Sequence, residues 1–309
     1  MNQFRLPGHR DLFYGGQWHE PAGGRTATVS PSTGQALGRV ARADAGDVDR
    51  AVAAARAGFA EWRQVAPLEC ARVLRETARR LAAHREELAW IDAVDGGSPV
   101  RELLKDVDTA VAQLDFFAGL VTEMKGASVP MGPGVVNFSV REPLGVVVRI
   151  IPFNHPFMFC AGKPASALAA GNAVIVKPPE QAPLSALRTA ALTADLFPAG
   201  VLSVVTGDSG TGAALASHPG VAKVALIGSV NAGRAVAHET AAAAEAGFVW
   251  VNEVARHFLG TGFGGYKQSG IGREECLDEL LDFTQQKNIH IRYRPASAAG
   301  GPGSVNPVR

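Results

Sequence analysis

Three polar side chains stand where the sequence changes from an apolar run to a turn, and each could take part in chemistry. Asn154 lies between Pro152 and Pro156, which restrain its backbone, so its amide could donate to a developing oxyanion. Lys177 and Glu180 follow an apolar run and are separated by two prolines. A lysine there could reach a phosphate or a ribose, and a glutamate could accept hydrogen bonds from ribose hydroxyls.

Each of these residues also has a simpler explanation. Asn154 could cap a helix that starts near Phe157, and without further context this interpretation is favoured. Lys177 and Glu180 could belong to an exposed charged loop, which is the favoured interpretation for a lone pair with this spacing. His155 is interpreted as a helix-start residue rather than as an acid or base.

Glycine-rich turns supply two further candidates. The run from Gly228 to Gly233 follows a strand pattern and opens a helix pattern. Free N–H groups at such a helix start can hold a phosphate, although any tight turn between a strand and a helix also favours glycine. For the run from Gly207 to Gly212 we favour a flexible loop.

The cysteines argue against both a metal site and a thiol nucleophile. Cys70, Cys160 and Cys276 form no C-x-x-C pair, and three cysteines cannot all pair within one chain. This usage predicts a reducing compartment, which we take to be the cytoplasm, and no metal. Cys70 and Cys276 are placed on amphipathic helices as packing thiols, and Cys160 is interpreted as structural because no base lies near it in sequence.

Composition excludes several classes of protein. The 309 residues are 47% hydrophobic and can bury a substantial core, while a net charge of +1 argues against a nucleic-acid-binding protein. The N-terminus has no apolar segment typical of a signal peptide, and no run of about 18 apolar residues predicts a membrane span. The Gly-, Pro- and Ala-rich tail after Tyr293 is predicted to be disordered.

The first third of the chain contains elements that offer no chemistry of their own. Residues 11–43 are predicted to form short strands and turns. Asp44 can cap a helix that runs to Trp62, Pro67 opens a second helix, and a third is expected from about Pro99 to Thr122.

The rest of the chain has the pattern of an α/β fold. Val135–Phe153 is interpreted as a hairpin or arm followed by a buried strand, Gly145–Ile151. Helices and strands are then predicted to alternate: helix 157–170, strand 173–177, helix 182–196, strand 201–205, helix 212–217, strand 223–227, helix 232–246 and strand 248–251. Such alternation predicts a parallel sheet covered by helices, and the candidate residues all follow strands.

Together these motifs resemble the NAD(P)-dependent aldehyde dehydrogenase superfamily. The specific pieces are IPFNHP (Ile151–Pro156), the run from Lys163 to Pro183, the run from Leu196 to Ser229, and GFGGYKQSGIGRE (Gly262–Glu274). The resemblance implies a Rossmann-like sheet for residues 144–253, N-terminal strands and helices packed on it (1–128), an oligomerisation hairpin (129–143), and a remnant of the catalytic domain with an oligomerisation strand (254–293), before the tail (294–309).

The resemblance also implies roles for single residues. Asn154 matches half of an oxyanion hole, and Phe159 matches a position on the aldehyde tunnel. The cofactor residues would be Ile151, Pro152 and Phe153 at the nicotinamide, Lys177 and Glu180 at the ribose, Gly207 near the adenine, and Gly228, Ser229, Val230, Asn231, Ala232 and Gly233 at the pyrophosphate. Because the Glu180 carboxylate would repel a 2′-phosphate, NAD is favoured over NADP.

The resemblance breaks between about Ala237 and Gly247. Family members continue there through segments that bear the general-base Glu and the nucleophilic Cys, and neither segment is in this chain. The chain looks like an internally deleted member with little or no aldehyde oxidation and weak NAD binding. The alternatives are a nucleotide-binding pseudoenzyme that assembles with itself or with full-length relatives, and a nonfunctional deletion product.

The junction leads to one structural hypothesis. Phe248–Val251 is expected to replace the lost strand and to pair with Lys223–Ile227, since a right-handed crossover permits this. Glu253 would then fall near Asn154 as a stand-in carboxylate. A solvated loop position for Glu253 is the favoured alternative.

Overall fold

The computed structural model describes residues 4–229, 259–265 and 272–292. Its strands are β1 (Leu12–Tyr14), β2 (Gln17–His19), β3 (Arg25–Val29), β4 (Ala36–Ala41), β5 (Ser128–Pro130), β6 (Val135–Pro143), β7 (Val146–Ile150), β8 (Ala173–Lys177), β9 (Leu202–Val204), β10 (Lys223–Leu226) and β11 (Thr284–Arg292). Its helices are α1 (Ala45–Trp62), α2 (Pro67–Ala83), α3 (Arg85–Gly96), α4 (Val100–Gly119), α5 (Pro164–Ala169), α6 (Leu184–Thr193), α7 (Ser209–Ser217) and α8 (Leu277–Leu281), and a π-helical segment, Met158–Gly162, precedes α5.

A central sheet with the strand order β10-β7-β8-β9-β1-β2 organises the molecule. The pairs β10–β7, β7–β8 and β8–β9 are parallel, which confirms the predicted α/β fold. β1 and β2 extend the sheet in the antiparallel sense, so the N-terminal strands join the sheet itself.

Both faces of the sheet are buried, because alternate side chains of the central strands enter two different cores. Val147 and Val174 pack with the helices α2 to α6 on one face. Val146, Val148 and Ile175 pack with α1 and α7 on the other face. This double burial explains why these strands appear in the sequence as continuous apolar runs instead of alternating ones.

The N-terminal helices begin where the sequence predicts. The Asp44 carboxylate accepts a hydrogen bond from the Asp47 backbone N–H at 2.9 Å, and the Asp47 carboxylate accepts one from the Asp44 N–H at 3.1 Å, so the two form a capping box. Pro67 is the first residue of α2. α3 is absent from the sequence prediction, because only His84 separates it from α2 and no glycine or proline marks the break.

The predicted helix 157–170 is not one continuous α-helix. It consists of the π-helical segment and the short α5, with Pro164 at the first position of α5. Proline has no N–H to continue the preceding hydrogen-bond ladder but is tolerated at a helix start, and this accounts for the break.

The predicted arm is a three-stranded sheet in the order β11-β6-β5. β11 pairs with β6 along nine residue positions, from Thr284 opposite Pro143 to Arg292 opposite Val135. The C-terminal strand therefore folds onto the hairpin of its own chain.

A buried network of charges joins the C-terminal segment to the central sheet. Arg149 Nη2 lies 2.8 Å from Glu279 Oε1, which also accepts a hydrogen bond from Ser166 Oγ at 2.7 Å. Lys163 Nζ lies 3.2 Å from Glu275 Oε1. Because these charges are removed from water, each depends on its partner for compensation.

Within the described ranges, none of the helices is long and apolar enough to cross a membrane.

Candidate functional site

The carboxyl ends of the four parallel strands lie side by side at one edge of the sheet. The Ile151 N–H donates to the Lys177 carbonyl at 3.2 Å, which joins the ends of β7 and β8. The Ile227 N–H donates to the Ile150 carbonyl at 3.0 Å, which joins the ends of β10 and β7. The loops that follow these strands therefore open at a single edge, where ligands of such sheets bind.

Lys177, the last residue of β8, is 7% exposed, and burial lowers the pKa of its ammonium group, while Glu180 and Asp208 raise it. Glu180 is exposed, and its Oε1 accepts a hydrogen bond from Gln181 Nε2 at 3.2 Å. Lys177 therefore does not belong to an exposed charged loop, since its side chain is buried, whereas Glu180 is exposed as that interpretation expects.

Asp208 and the glycine before it form an ordered helix start. The Asp208 carboxylate accepts hydrogen bonds from the N–H groups of Gly210 at 2.9 Å and Thr211 at 3.2 Å, and so caps α7. A Cβ on Gly207 would overlap Thr211 Oγ1, so the close approach requires glycine. The predicted flexible loop 207–212 is therefore wrong. The helix predicted at 212–217 is α7, and aspartate followed by small residues is a helix-start signal that could have placed its start at Ser209.

The turn that contains Asn154 is exposed at its tip. Ile151 is buried, Phe153 is 61% exposed, and Asn154 is exposed. The first free N–H of the following helix, that of Phe157, donates to Asp92 Oδ2 at 2.9 Å. Asp92 of α3, and not Asn154, therefore caps this helix start, which leaves the Asn154 amide at the open edge of the sheet.

His155 pairs with the carboxylate of Asp106, a residue that no sequence motif marks. Its Nδ1 lies 2.7 Å from Asp106 Oδ2, and its ring meets the ring of Phe159 edge to face with 5.7 Å between centroids. The hydrogen bond to Asp106 raises the pKa of His155, and burial opposes this effect. Phe159 itself is buried, at 9% exposure.

None of the three cysteines presents an exposed thiol. Burial raises the pKa of Cys70 and of Cys160 to about 12, so both stay protonated at neutral pH. Cys276 is also buried, and it precedes α8 instead of lying on it as expected.

The last group of predicted residues follows β10. Gly228 and Ser229 lie exposed at the same edge of the sheet. Several predicted positions fall outside the described residues: Val230, Asn231, Ala232, Gly233, Glu253 and the strand Phe248–Val251.

Comparison with known proteins supports the interpretation of these motifs. The aldehyde dehydrogenase family profile matches residues 18–244 and 235–289. This chain belongs to the aldehyde dehydrogenase family. The aldehyde dehydrogenase tropH of Talaromyces stipitatus is 44% identical over 236 residues. A putative aldehyde dehydrogenase from Burkholderia cenocepacia has a similar structure with a TM-score of 0.72 and 37% identity, and an NAD+ complex of an aldehyde dehydrogenase from Bacillus cereus has 0.73 and 34%.

The chain spans about half of the length of these relatives. The match to the Talaromyces protein covers 75% of this chain and 46% of that protein. The Burkholderia and Bacillus matches cover 76% and 75% of this chain, and 48% and 49% of the other chains. The family profile matches in two ranges that overlap at residues 235–244, close to the break in motif order that the sequence predicts between about Ala237 and Gly247.

Proposed function

We propose that this chain is a cofactor-binding member of its family that holds NAD at the carboxyl edge of the parallel sheet and does not oxidise aldehydes by itself. One observation carries the proposal. Four strand ends that bear the family's cofactor motifs lie side by side, with Lys177 buried at the end of β8 and with Gly228 and Ser229 exposed after β10.

In this proposal the adenosine half of NAD lies over the ends of β8 and β9. Lys177 and Glu180 hold the ribose, Gly207 leaves room beside the adenine, and Ser229 donates to the pyrophosphate. The nicotinamide lies near Ile151, Pro152 and Phe153. The proposed cofactor site lies in the Rossmann-like part of the chain, which starts at about residue 144. The arm and the C-terminal segment are assigned to assembly instead.

The proposed loss of aldehyde oxidation rests on the missing nucleophile. In this family a cysteine thiolate attacks the aldehyde and carries it through hydride transfer and hydrolysis. All three cysteines here are buried, and the thiols of Cys70 and Cys160 stay protonated at neutral pH. Asn154 is the remaining half of an oxyanion hole whose second donor would belong to that missing residue.

Isothermal titration of NAD tests the cofactor site. We expect weak but measurable binding, reduced about tenfold or more by Lys177→Ala, because the variant loses a charge-assisted contact. Lys125→Ala is the matched control, since Lys125 is exposed and pairs only with the nearby Glu123 among the described residues, and it should bind NAD as the wild type does. No heat at millimolar NAD would overturn the proposal.

An assay of NADH formation tests the proposed inactivity. Purified chain with NAD and short-chain, aromatic or amino aldehydes should form no NADH. Turnover that disappears in Cys160→Ala or Cys276→Ala would show that one of the buried thiols acts as a nucleophile.

A second candidate function, assembly with itself or with longer relatives, is favoured by the surface of the arm. Four apolar side chains on or beside the three-stranded sheet are exposed: Val129 at 49%, Met131 at 51%, Val136 at 42% and Ile291 at 38%. Val136 lies directly opposite Ile291 in the β6–β11 register, so the two form a cross-strand pair. Exposed apolar groups on one sheet are typical of surfaces that pack against another chain.

A further inference from the structure

The turn from Ile151 to Pro156 is attached to a different element at each end. At its start the Ile151 N–H donates to the carbonyl of Lys177 in β8. Just beyond its end the Phe157 N–H donates to Asp92 of α3. The two attachments leave the middle of the turn, Phe153 to His155, to be fixed by side chains.

His155 is the side chain that makes such a contact. Its Nδ1 lies 2.7 Å from Oδ2 of Asp106, which is on α4, and its carbonyl accepts a hydrogen bond from the Phe159 N–H at 3.1 Å. The Asp106 side chain is 11% exposed, whereas the His155 side chain is 41% exposed. The carboxylate is thus held by the protein, while the imidazole remains open to exchange protons with solvent.

The charged groups that face His155 are all acidic among the residues that the structure describes. Asp106 faces it from α4 and Asp92 from α3. On its own segment the nearest titratable group is the buried Cys160, whose pKa of about 12 keeps it neutral, and α6 contributes the uncharged Ser185 and Thr189 behind Asp92 and Cys160. Among the described residues, the ion pair of Asp106 is the one with His155.

We propose that His155 and Asp106 form a positioning pair for the cofactor site. While the imidazolium is paired with the carboxylate, the turn presents Ile151 to Asn154 at the edge of the sheet. Loss of the proton weakens the pair and loosens the turn. The link to the cofactor rests on the proposed function, whereas the effect on the turn does not.

The direction of the pH dependence follows from the pair. Asp106 raises the pKa of His155 above its ordinary value of 6.5. The charge-assisted contact is therefore complete below that value and is lost as the pH rises through the raised pKa of the folded protein. A neutral hydrogen bond of about half the strength remains at high pH.

Two measurements on the turn decide whether the pair exists. NMR titration of the His155 ring should give a midpoint above 6.5, and Asp106→Asn should lower it. Hydrogen exchange of the segment 151–159, corrected for intrinsic rates, should lose protection about fivefold through the same midpoint. Asp106→Asn and His155→Gln should remove the part of this loss that comes from the His155–Asp106 pair. Any change in exchange that comes from titration of Asp92 should remain in both variants.

Asp49→Asn is the matched control, because Asp49 Oδ1 pairs with His218 Nε2 at 3.2 Å on a distant part of the fold. It should leave the exchange profile of the turn unchanged. A wild-type profile that persists in Asp106→Asn overturns the proposal, as does a His155 midpoint that does not move. Thermal melting of each variant confirms that it is folded at each pH.

The cofactor arm of the experiment measures NAD affinity by calorimetry at the same pH values. We expect the affinity to fall about fivefold through the His155 midpoint in the wild type and to be flat in Asp106→Asn. Absence of NAD binding at every pH would overturn the proposed function while the exchange data still decide the positioning role. Binding with the same profile in both proteins would overturn the link between the pair and the cofactor.

Discussion

At the scale of single residues, the candidate site combines one buried lysine with two carboxylates. Glu180 and Asp208 both act on the ammonium group of Lys177. Arg42 Nη1 lies 3.6 Å from Asp208 and offsets part of its charge. Glu180 is therefore the carboxylate that we expect to discriminate between the two cofactors, since a 2′-phosphate would meet its negative charge.

Glu180→Gln tests this discrimination. The variant should bind NAD about tenfold more weakly, because a hydrogen bond to a charged group is lost, and its preference for NAD over NADP should shrink by a similar factor. Competitive calorimetry with NAD and NADP measures both changes. Glu123→Gln is the control at a distant ion pair, and an unchanged NADP ratio in Glu180→Gln would contradict the assignment.

At the scale of elements, α3 fixes two of the loops around the site. Asp92 Oδ2 accepts from the Phe157 N–H at 2.9 Å, and Asp95 Oδ2 accepts from the Leu184 N–H at 2.8 Å, so one helix caps the starts of two others. Burial raises the pKa of both carboxyl groups to about 7. The folded protein therefore binds more protons than the unfolded chain between about pH 4 and pH 7.

This proton uptake predicts that stability falls as the pH rises. Each raised carboxyl group lowers the free energy of unfolding by up to about 1.4 kcal/mol per pH unit between its unfolded pKa and its folded value. Asp92→Asn keeps a capping side chain and should flatten the decline. Urea unfolding from pH 4.5 to 7.5 measures this decline in the free energy of unfolding. Asp49→Asn is the control, because Asp49 is exposed. A slope equal to that of the wild type in Asp92→Asn would refute the prediction.

The buried ion pair that holds the C-terminal segment gives a second prediction for the elements. Arg149 and Glu279 have side chains that are 3% and 4% exposed. Glu279→Ala leaves the Arg149 charge buried without this partner and should cost about 3 kcal/mol of stability, measured by urea unfolding. Glu102→Gln removes an exposed pair with Lys105 and should change stability little. Equal losses of stability in Glu279→Ala and Glu102→Gln would show that the buried ion pair contributes no more to stability than the exposed one.

At the scale of the whole molecule, the three-stranded arm sheet is where we expect assembly. Val136→Lys places a charge in the exposed apolar pair with Ile291 and should shift the protein toward the monomer in sedimentation velocity. Leu68→Lys is the control, because Leu68 is 72% exposed on α2, away from the arm. A monomeric wild type, or a Val136→Lys protein that assembles as the wild type does, would contradict the proposed interface.

Local sequence signals predicted much of the fold and the place of the candidate site. The strand predicted at 173–177 has the bounds of β8, and the helix predicted after Asp44 is α1 with a capping box. Both depend on residues close together in sequence: a β-branched apolar run, and a capping aspartate before a helical period. The order of strands and helices then placed Lys177 and Ser229 at one edge of the sheet.

The tertiary structure decided which side chains hold that edge in place. Asp92 and Asp106 lie 65 and 49 positions before the groups that they bind, and Glu279 lies 130 positions after Arg149. No pattern of short period connects residues so far apart, and an acidic residue on an amphipathic helix looks like part of a solvated face until the fold buries it. Burial then makes each of these charges dependent on its few protein partners, because the low-dielectric interior offers no water to replace them.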